Sequence, residues 1–436
     1  MMMTITSILS WTSTLINFYL YSALSIIITA WLGLDFGLSR LYVNILEKLF
    51  HFIKKNESLF LKSCDNVTSN GQSDPAVDKI NGYTKHEIDQ CFTAEVPESW
   101  NLLTPTWKPR DSEDTVYEVT RLGKLVYFAG LVFRFGLIFP IRLVIFVYNL
   151  VHIISALFVL TFVLPPGKLR NAYYRFMWKV TFRCATQNFG GLFRYHGTDY
   201  CFKAGGVAVS NHTGPLDIVC LADHVRYSFL GRQRNGLLGY VYKAIEVCGA
   251  NIWFEMKDKE IIKDRLQARA SDPSSYPLVI FPEGTCTTTD RILRFRKGSF
   301  ELDCSVYPIA IKYDLRFGNP FWNSKTIGFL GICVKFFTNW AIIADVHYLA
   351  PVHRKDSETA VEFSERVRGL IADKIGLKKI DLDGYKVKYS VEETTSKLKQ
   401  EKELVVKDKI ERKTFSQIAN QSFNFGSNGD LLTRSY

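Results

Sequence analysis

The sequence predicts an α/β domain with a mostly parallel sheet flanked by helices, held to a membrane by an N-terminal transmembrane helix and a membrane hairpin. Three observations predict it. Short apolar runs alternate with helix-like stretches between about residues 167 and 380, the pattern of a sheet wound with crossover helices. Residues 1–34 carry no charged side chain, and residues 125–164 are nearly as apolar. Two of the short apolar runs end in polar turns that hold titratable side chains.

Residues 1–34 are read as an anchor. At about 1.5 Å per residue the stretch exceeds the roughly 30 Å hydrocarbon core, and Thr14–Leu34 is the expected span. A signal peptide would show a basic start and a small-residue cleavage site, and neither is present. Arg40, Lys48, Lys54, Lys55 and Lys62 follow, which places that flank in the cytosol by the positive-inside rule. Residues 35–120 read as a soluble, partly disordered loop region, with Asn, Ser, Gly and Asp clustered over Asp65–Gln90. The sequons at Asn56 and Asn66 are expected to stay unused.

Residues 121–166 are expected to form the hairpin, turning at Pro140 and Arg142. Arg121 and Lys124 precede it, while Lys168, Arg170 and Arg175 follow, so both ends are expected on one face. A single crossing is the rival arrangement. The domain at 167–380 is expected to hold strands at Leu192–His196, Val207–Ser210, Leu278–Phe281, Val306–Ile311 and Ala341–Leu349. Helices are expected at Asp258–Ala270 and Thr359–Lys374. Phe329, Ile332, Phe336 and Trp340 recur at helical spacing, as an interfacial or a core helix requires. Residues 381–436 read as a charged, partly disordered tail.

The net charge of +11 favours anionic partners. Nucleic acid is a poor candidate, because the basic residues form no recognition module and share the chain with two membrane blocks. The nine cysteines include no CxxC pair, so neither a zinc site nor a disulfide framework is indicated.

The chemistry concentrates in three blocks. Val207–Ser210 runs into His212-Thr-Gly-Pro-Leu-Asp217, which sets an imidazole and a carboxylate five positions apart across a Gly-Pro turn. A histidine held by an acid can take a proton from a hydroxyl. Pro215 suits the first turn of a helix, whose N–H groups are candidates for stabilising an oxyanion. Leu278-Val-Ile-Phe-Pro-Glu-Gly-Thr285 begins 66 residues after His212, and Val306-Tyr-Pro-Ile-Ala-Ile311 comes third.

Together the blocks resemble the glycerophospholipid acyltransferase superfamily, most closely the microsomal-type glycerol-3-phosphate acyltransferases of eukaryotes. Glu98-Ser-Trp-Asn-Leu-Leu103 and Phe321-Trp-Asn-Ser324 extend the likeness. The resemblance implies acyl transfer from acyl-CoA to the sn-1 hydroxyl of glycerol 3-phosphate, giving lysophosphatidic acid. It implies His212 and Asp217 as catalytic residues, with Glu283, Gly284, Thr285, Lys297 and Gly298 binding substrate. It also implies an endoplasmic reticulum membrane, crossed more than once, with the catalytic domain facing the cytosol. No metal or prosthetic group is expected, and the expected partners are acyl-CoA, glycerol 3-phosphate and membrane lipids. A lysophospholipid acyltransferase is the rival enzyme, and a catalytically silent lipid-binding scaffold the rival of another class.

Two departures stand out. Cys286 follows Gly-Thr where many relatives carry Arg; with no base beside it in sequence, it is expected to be structural. Ile252-Trp-Phe-Glu-Met256 has Met where the superfamily places an Arg that meets the acceptor phosphate. Lys257, Lys259, Arg265 or the run Arg294–Gly298 must then supply the cation, with Lys297 the preferred candidate.

Overall fold

The computed structural model describes residues 5–32, 34, 38–63, 79–80, 83–84, 117–202, 206–232, 252–254, 259–272, 276–323 and 327–384. Most of the Asp65–Gln90 loop, the Asn66 sequon, Glu98–Leu103, Glu255–Lys257 and the tail from 385 lie outside these residues.

The chain opens with α1 (Ile5–Leu32) and α2 (Leu38–Lys55). Then comes α3 (Arg121–Val163), an unbroken 43-residue helix with two π-helical segments, Arg134–Ile138 and Val159–Val163. Helix α1 from Ser10, and α3, are long and apolar enough to cross a membrane.

The reversal expected at Pro140 and Arg142 is absent, because the helix around each finds a partner on another element. Proline cannot donate to the carbonyl four residues back, which belongs to Gly136. That oxygen instead accepts the Tyr19 hydroxyl from α1. The chain turns later, at Pro165–Gly167, and returns as α4 (Lys168–Asn188), a helix the sequence reading passed over.

The α/β domain is built on a seven-stranded sheet. Its strands are β1 (Gly191–His196), β2 (Val207–Ser210), β3 (Ser228–Arg232), β4 (Ile252–Phe254) and β5 (Leu278–Ile280). The short β6 (Arg291–Arg294) stands outside the sheet; β7 (Val306–Asp314) and β8 (Ile342–Tyr348) complete it. The spatial order is β1-β8-β7-β2-β5-β3-β4, and only the β7–β8 pair is antiparallel. Strand β9 (Lys378–Asp383) pairs in parallel with β6, so the domain runs past the boundary expected at residue 380.

Alternation along each strand feeds two cores. Ala208, Ile309, Ile311 and Ala344 face α4, α5 (Leu216–His224) and α7 (Phe329–Thr338). Val207, Val209, Ile280 and Ala310 face α6 (Lys259–Ser271) and α8 (Ala360–Ile375). Thr359 and Glu362 close a capping box at the start of α8, a device that satisfies two orphan N–H groups. Helix α2 adds a third cluster, with Val43, Leu46 and Phe50 packed on Phe317, Trp340 and Ile343.

Arg142 joins α3 to the sheet domain through main-chain carbonyls. Its Nη1 donates to Phe337 O at 2.9 Å and Asn339 O at 2.5 Å, and its Nη2 to Trp340 O at 2.9 Å. These are carbonyls at and just past the C-terminus of α7, which a helix leaves without partners. Gly190 passes directly against the guanidinium at φ +60°, and a Cβ there would collide with Nη2.

Candidate active site

Strands β2 and β5 are parallel neighbours, so the loops leaving their C-terminal ends emerge side by side. Open α/β sheets place their ligands at that edge. The first loop is registered to the sheet by Asn211. Its side-chain amide donates to Ile311 O and its carbonyl oxygen accepts Ile311 N–H, both at 2.9 Å, so a side chain extends the strand pairing by one step. Asn211 is buried, and no local pattern in the sequence announced this role.

Asp217, fully buried in the first turn of α5, organises the turn. Its Oδ2 accepts Thr213 N–H at 2.7 Å, Gly214 N–H at 3.0 Å and His212 Nδ1 at 2.7 Å. Its Oδ1 accepts the Tyr313 hydroxyl at 2.6 Å from the end of β7. Those two N–H groups, just ahead of the helix, are therefore engaged by the carboxylate. Gly214 is required by close approach, since a Cβ would lie 2.6 Å from Pro320 O. The segment carrying Pro320 is secured by Trp322 N–H donating to Thr213 O at 3.4 Å and by Lys335 Nζ donating to Phe321 O at 3.2 Å.

With Nδ1 committed to Asp217, Nε2 is the working nitrogen of His212. The ring stacks on Phe281, centroids 4.3 Å apart, and its side chain is 20% exposed. Burial alone would disfavour the charged ring. Cys286 beside Nε2 and the Asp217 carboxylate at Nδ1 outweigh that effect and hold the pKa well above the usual 6.5.

Cys286 lies where sequence alone could not place it. Its Sγ is 3.4 Å from His212 Nε2, so the fold supplies the base that the neighbouring sequence does not. The turn that carries it wraps the histidine, with Thr287 N–H donating to His212 O at 2.9 Å.

Glu283 ties the two loops together beneath the ring. Oε1 accepts His212 N–H and Oε2 accepts Leu293 N–H, each at 2.8 Å. Its side chain is fully buried, and burial pushes its pKa up to about 8 against the pull of those N–H groups. Gly284 takes φ +73°, a left-handed conformation that glycine adopts without strain. Arg296 covers it, with Cδ 3.4 Å from where a Cβ would stand, and Arg296 N–H bonds Pro282 O at 2.9 Å. The Thr285 methyl is directed at Gly384, which follows β9.

Lys297 and Gly298 open a short 3-10 turn, Lys297–Phe300. Lys297 is 64% exposed and pairs with Glu301 at 2.8 Å. Arg296, next to the preferred Lys297, is the cation seen against the Glu283–Thr285 turn. Among the described residues, no cluster of His, Cys, Asp and Glu suited to a metal ion occurs.

The sequence model of the Acyltransferase family matches residues 192–312, the span that holds His212, Asp217, Glu283, Cys286 and Lys297. Glycerol-3-phosphate acyltransferase 3 of Danio rerio is 34% identical over 326 residues, covering 73% of this chain and 71% of its own. The protein of the same name in Gallus gallus is 35% identical over 320 residues, with coverages of 71% and 70%. Glycerol-3-phosphate acyltransferase 4 of Homo sapiens is 34% identical over 319 residues, with coverages of 72% and 68%. With its two long apolar helices the chain is a membrane protein. Likeness of this extent, running well beyond the motif blocks, makes the chain a member of the microsomal glycerol-3-phosphate acyltransferase family of eukaryotes.

Proposed function

We propose that this enzyme transfers a fatty acyl group from acyl-CoA to the sn-1 hydroxyl of glycerol 3-phosphate, giving lysophosphatidic acid for glycerolipid synthesis. The observation that carries the reading is the His212–Asp217 pair, with Nδ1 anchored at 2.7 Å and Nε2 turned away from the carboxylate. The family's named acceptor supports the choice of glycerol 3-phosphate.

In this mechanism the acceptor hydroxyl replaces the Cys286 thiol as the partner of Nε2. His212 takes the hydroxyl proton as the oxygen attacks the thioester carbon. The tetrahedral intermediate collapses by breaking the C–S bond, and the imidazolium returns its proton to the departing thiolate. Asp217 holds the ring tautomer and favours the imidazolium formed on the way. Direct attack needs no acyl-enzyme, since the acceptor brings its own hydroxyl.

Glu283, Gly284 and Thr285 form the acceptor side of the site together with Lys297 and Gly298. Arg296, stacked over Gly284, joins Lys297 as a cation for the acceptor phosphate. A planar guanidinium suits a bidentate phosphate contact better than an ammonium does. No prosthetic group enters the scheme. The enzyme is assigned to the endoplasmic reticulum membrane with its catalytic domain in the cytosol, where both acyl-CoA and glycerol 3-phosphate are supplied.

The test is acyl-CoA-dependent acylation by membranes carrying the protein, with glycerol 3-phosphate and lysophosphatidic acid offered side by side. Transfer to glycerol 3-phosphate that disappears in His212→Ala is the expected result. Transfer confined to lysophosphatidic acid moves the protein to a lysophospholipid acyltransferase. The absence of any His212-dependent transfer removes the assignment.

A further inference from the structure

The edge of the sheet opposite His212 carries arginines that acyl transfer does not use. Strands β2, β5 and β3 are parallel neighbours, and Val207, Leu278 and Ser228 are their paired first residues. His212 follows the far end of β2, so the connections that enter these strands lie on the other edge. Arg226 stands in one of them, between the end of α5 at His224 and the start of β3. Val225 N–H closes α5 on Leu221 O at 3.1 Å, and Ser228 N–H donates to Pro277 O at 2.7 Å. Tyr227 is fully buried. The backbone on both sides of Arg226 is thereby fixed, and the residue is brought beside Tyr276.

The guanidinium of Arg226 lies over two aromatic rings. Its central carbon is 3.2 Å from the Tyr276 centroid and 4.3 Å from that of Tyr174 on α4. Aromatic faces attract a cation but offer its N–H groups no lone-pair acceptor. Nε and Nη1 are buried and make no hydrogen bond, which leaves Nη2 as the nitrogen open to a ligand. Arg269 on α6 reaches the same edge, where its Nη2 donates to the Ser228 hydroxyl at 2.9 Å and Asp272 offsets its charge. Among the described residues no carboxylate does this for Arg226. Its charged neighbour is instead Arg175, exposed on α4 next to Tyr174. Burial pushes the Arg226 pKa down to about 10, and Arg175 acts in the same direction.

Donors on a buried charge are costly until an acceptor meets them. Here the acceptor missing from the chain is an anion, and the charges fix its class. A phosphate monoester carries nearly two negative charges at neutral pH and balances both arginines, whereas a carboxylate balances one. The planar guanidinium fork also matches the spacing of phosphate oxygens.

We propose that Arg226 and Arg175, with the Tyr174 and Tyr276 rings against Arg226, form a second anion site that binds a terminal phosphate group at the sheet edge remote from His212. A lipid with a phosphate monoester headgroup and free phosphate share that chemistry, and the two are separated by experiment.

The test follows the thermal transition of the full chain in a non-ionic detergent. The probes are dihexanoyl phosphatidic acid, whose headgroup is a phosphate monoester, and inorganic phosphate. Dihexanoyl phosphatidylcholine is the control without a monoester. Phosphatidic acid should raise the transition, and its half-saturating concentration should increase about tenfold in Arg226→Met and in Arg175→Gln. Arg175 is exposed, so its variant keeps the test standing if Arg226→Met does not fold. A matching rise with inorganic phosphate assigns the site to free phosphate, and a rise with phosphatidic acid alone assigns it to a lipid headgroup. A variant carrying both Arg296→Gln and Lys297→Gln should respond as the wild type does. The proposal is overturned by no rise with either probe, by an equal rise with phosphatidylcholine, or by an unchanged response in the Arg226 and Arg175 variants that fold. A response lost only in the Arg296 and Lys297 variant also overturns it, because the probe then reads the proposed acceptor site. The readout is stability, so its outcome is separate from that of the proposed reaction.

Discussion

The His212 turn and the Arg142 junction both bury a charged group against backbone, with opposite polarity and opposite outcome. Asp217 accepts two N–H groups, a phenol and an imidazole. Arg142 donates to the carbonyls that end α7. A buried charge is tolerated only when its bonds are made, and both sites meet that condition. They differ in what lies at the end of the network. At Arg142 the bonds close on main chain, so the result is a joint between the apolar helix and the sheet. At Asp217 one partner is a ring whose second nitrogen faces Cys286, so the network ends in a reactive atom.

That contrast is broken most sharply by a pair of substitutions. His212→Ala should reduce the initial acylation rate by roughly 10³-fold or more, with the thermal transition in detergent nearly unchanged. Arg142→Met should do the reverse. It orphans the α7 carbonyls and should cost about 3–5 kcal/mol of stability, with the rate per folded molecule preserved. If the arginine variant folds normally but is inactive, the junction is part of the site and the contrast fails.

A smaller effect separates the two carboxylates of the site. Glu283 keeps its proton up to about pH 8, whereas in the unfolded chain it loses it near its ordinary 4.5. The folded state then binds more protons across that window, so stability should fall as pH rises through it and level off above. Glu283→Gln should flatten this slope in thermal scans taken at a series of pH values. An unchanged slope would mean that the carboxyl is already ionised at neutral pH.

Cys286→Ala should leave turnover largely intact and shift its pH profile. The thiol beside Nε2 helps to hold the His212 pKa above 6.5. The rising limb, which follows loss of the imidazolium proton, should therefore move to lower pH in the variant. The smallest effect belongs to Tyr313→Phe, which removes one of the bonds to Asp217 at a cost of about 1 kcal/mol and should be visible as a modest fall in rate.

Much of the domain was legible. Strands β1, β2, β5, β7 and β8 and helices α6 and α8 fall within a few residues of their expected limits, because each pairs a strong apolar period with clear punctuation. The His212 and Glu283 turns were legible for the same reason, as polar residues following apolar strands.

What was missed depends on partners distant in sequence. Pro140 and Arg142 read as a turn because a lone helix tolerates neither in lipid. Tyr19 and the α7 carbonyls supply what each lacks, from 117 or more positions away. Helix α4 was hidden by its basic residues, although Trp178, Phe182 and Cys184 are buried on its inner side. Asn211, Tyr313 and the approach of Cys286 to His212 arise from strand register, which no local window contains.

The bond from His212 N–H to Glu283 also sets a schedule. During synthesis the histidine leaves the ribosome 81 residues before Leu293, whose N–H completes the hold on that carboxylate. At about 5–20 residues per second the interval is roughly 4–16 s. Tyr313 follows 20 residues later. Through that period the nascent chain carries its complete His-to-Asp motif without the neighbouring strands of β2. The hold on His212 is therefore complete only once β5 and β7 have been made and have closed beside β2.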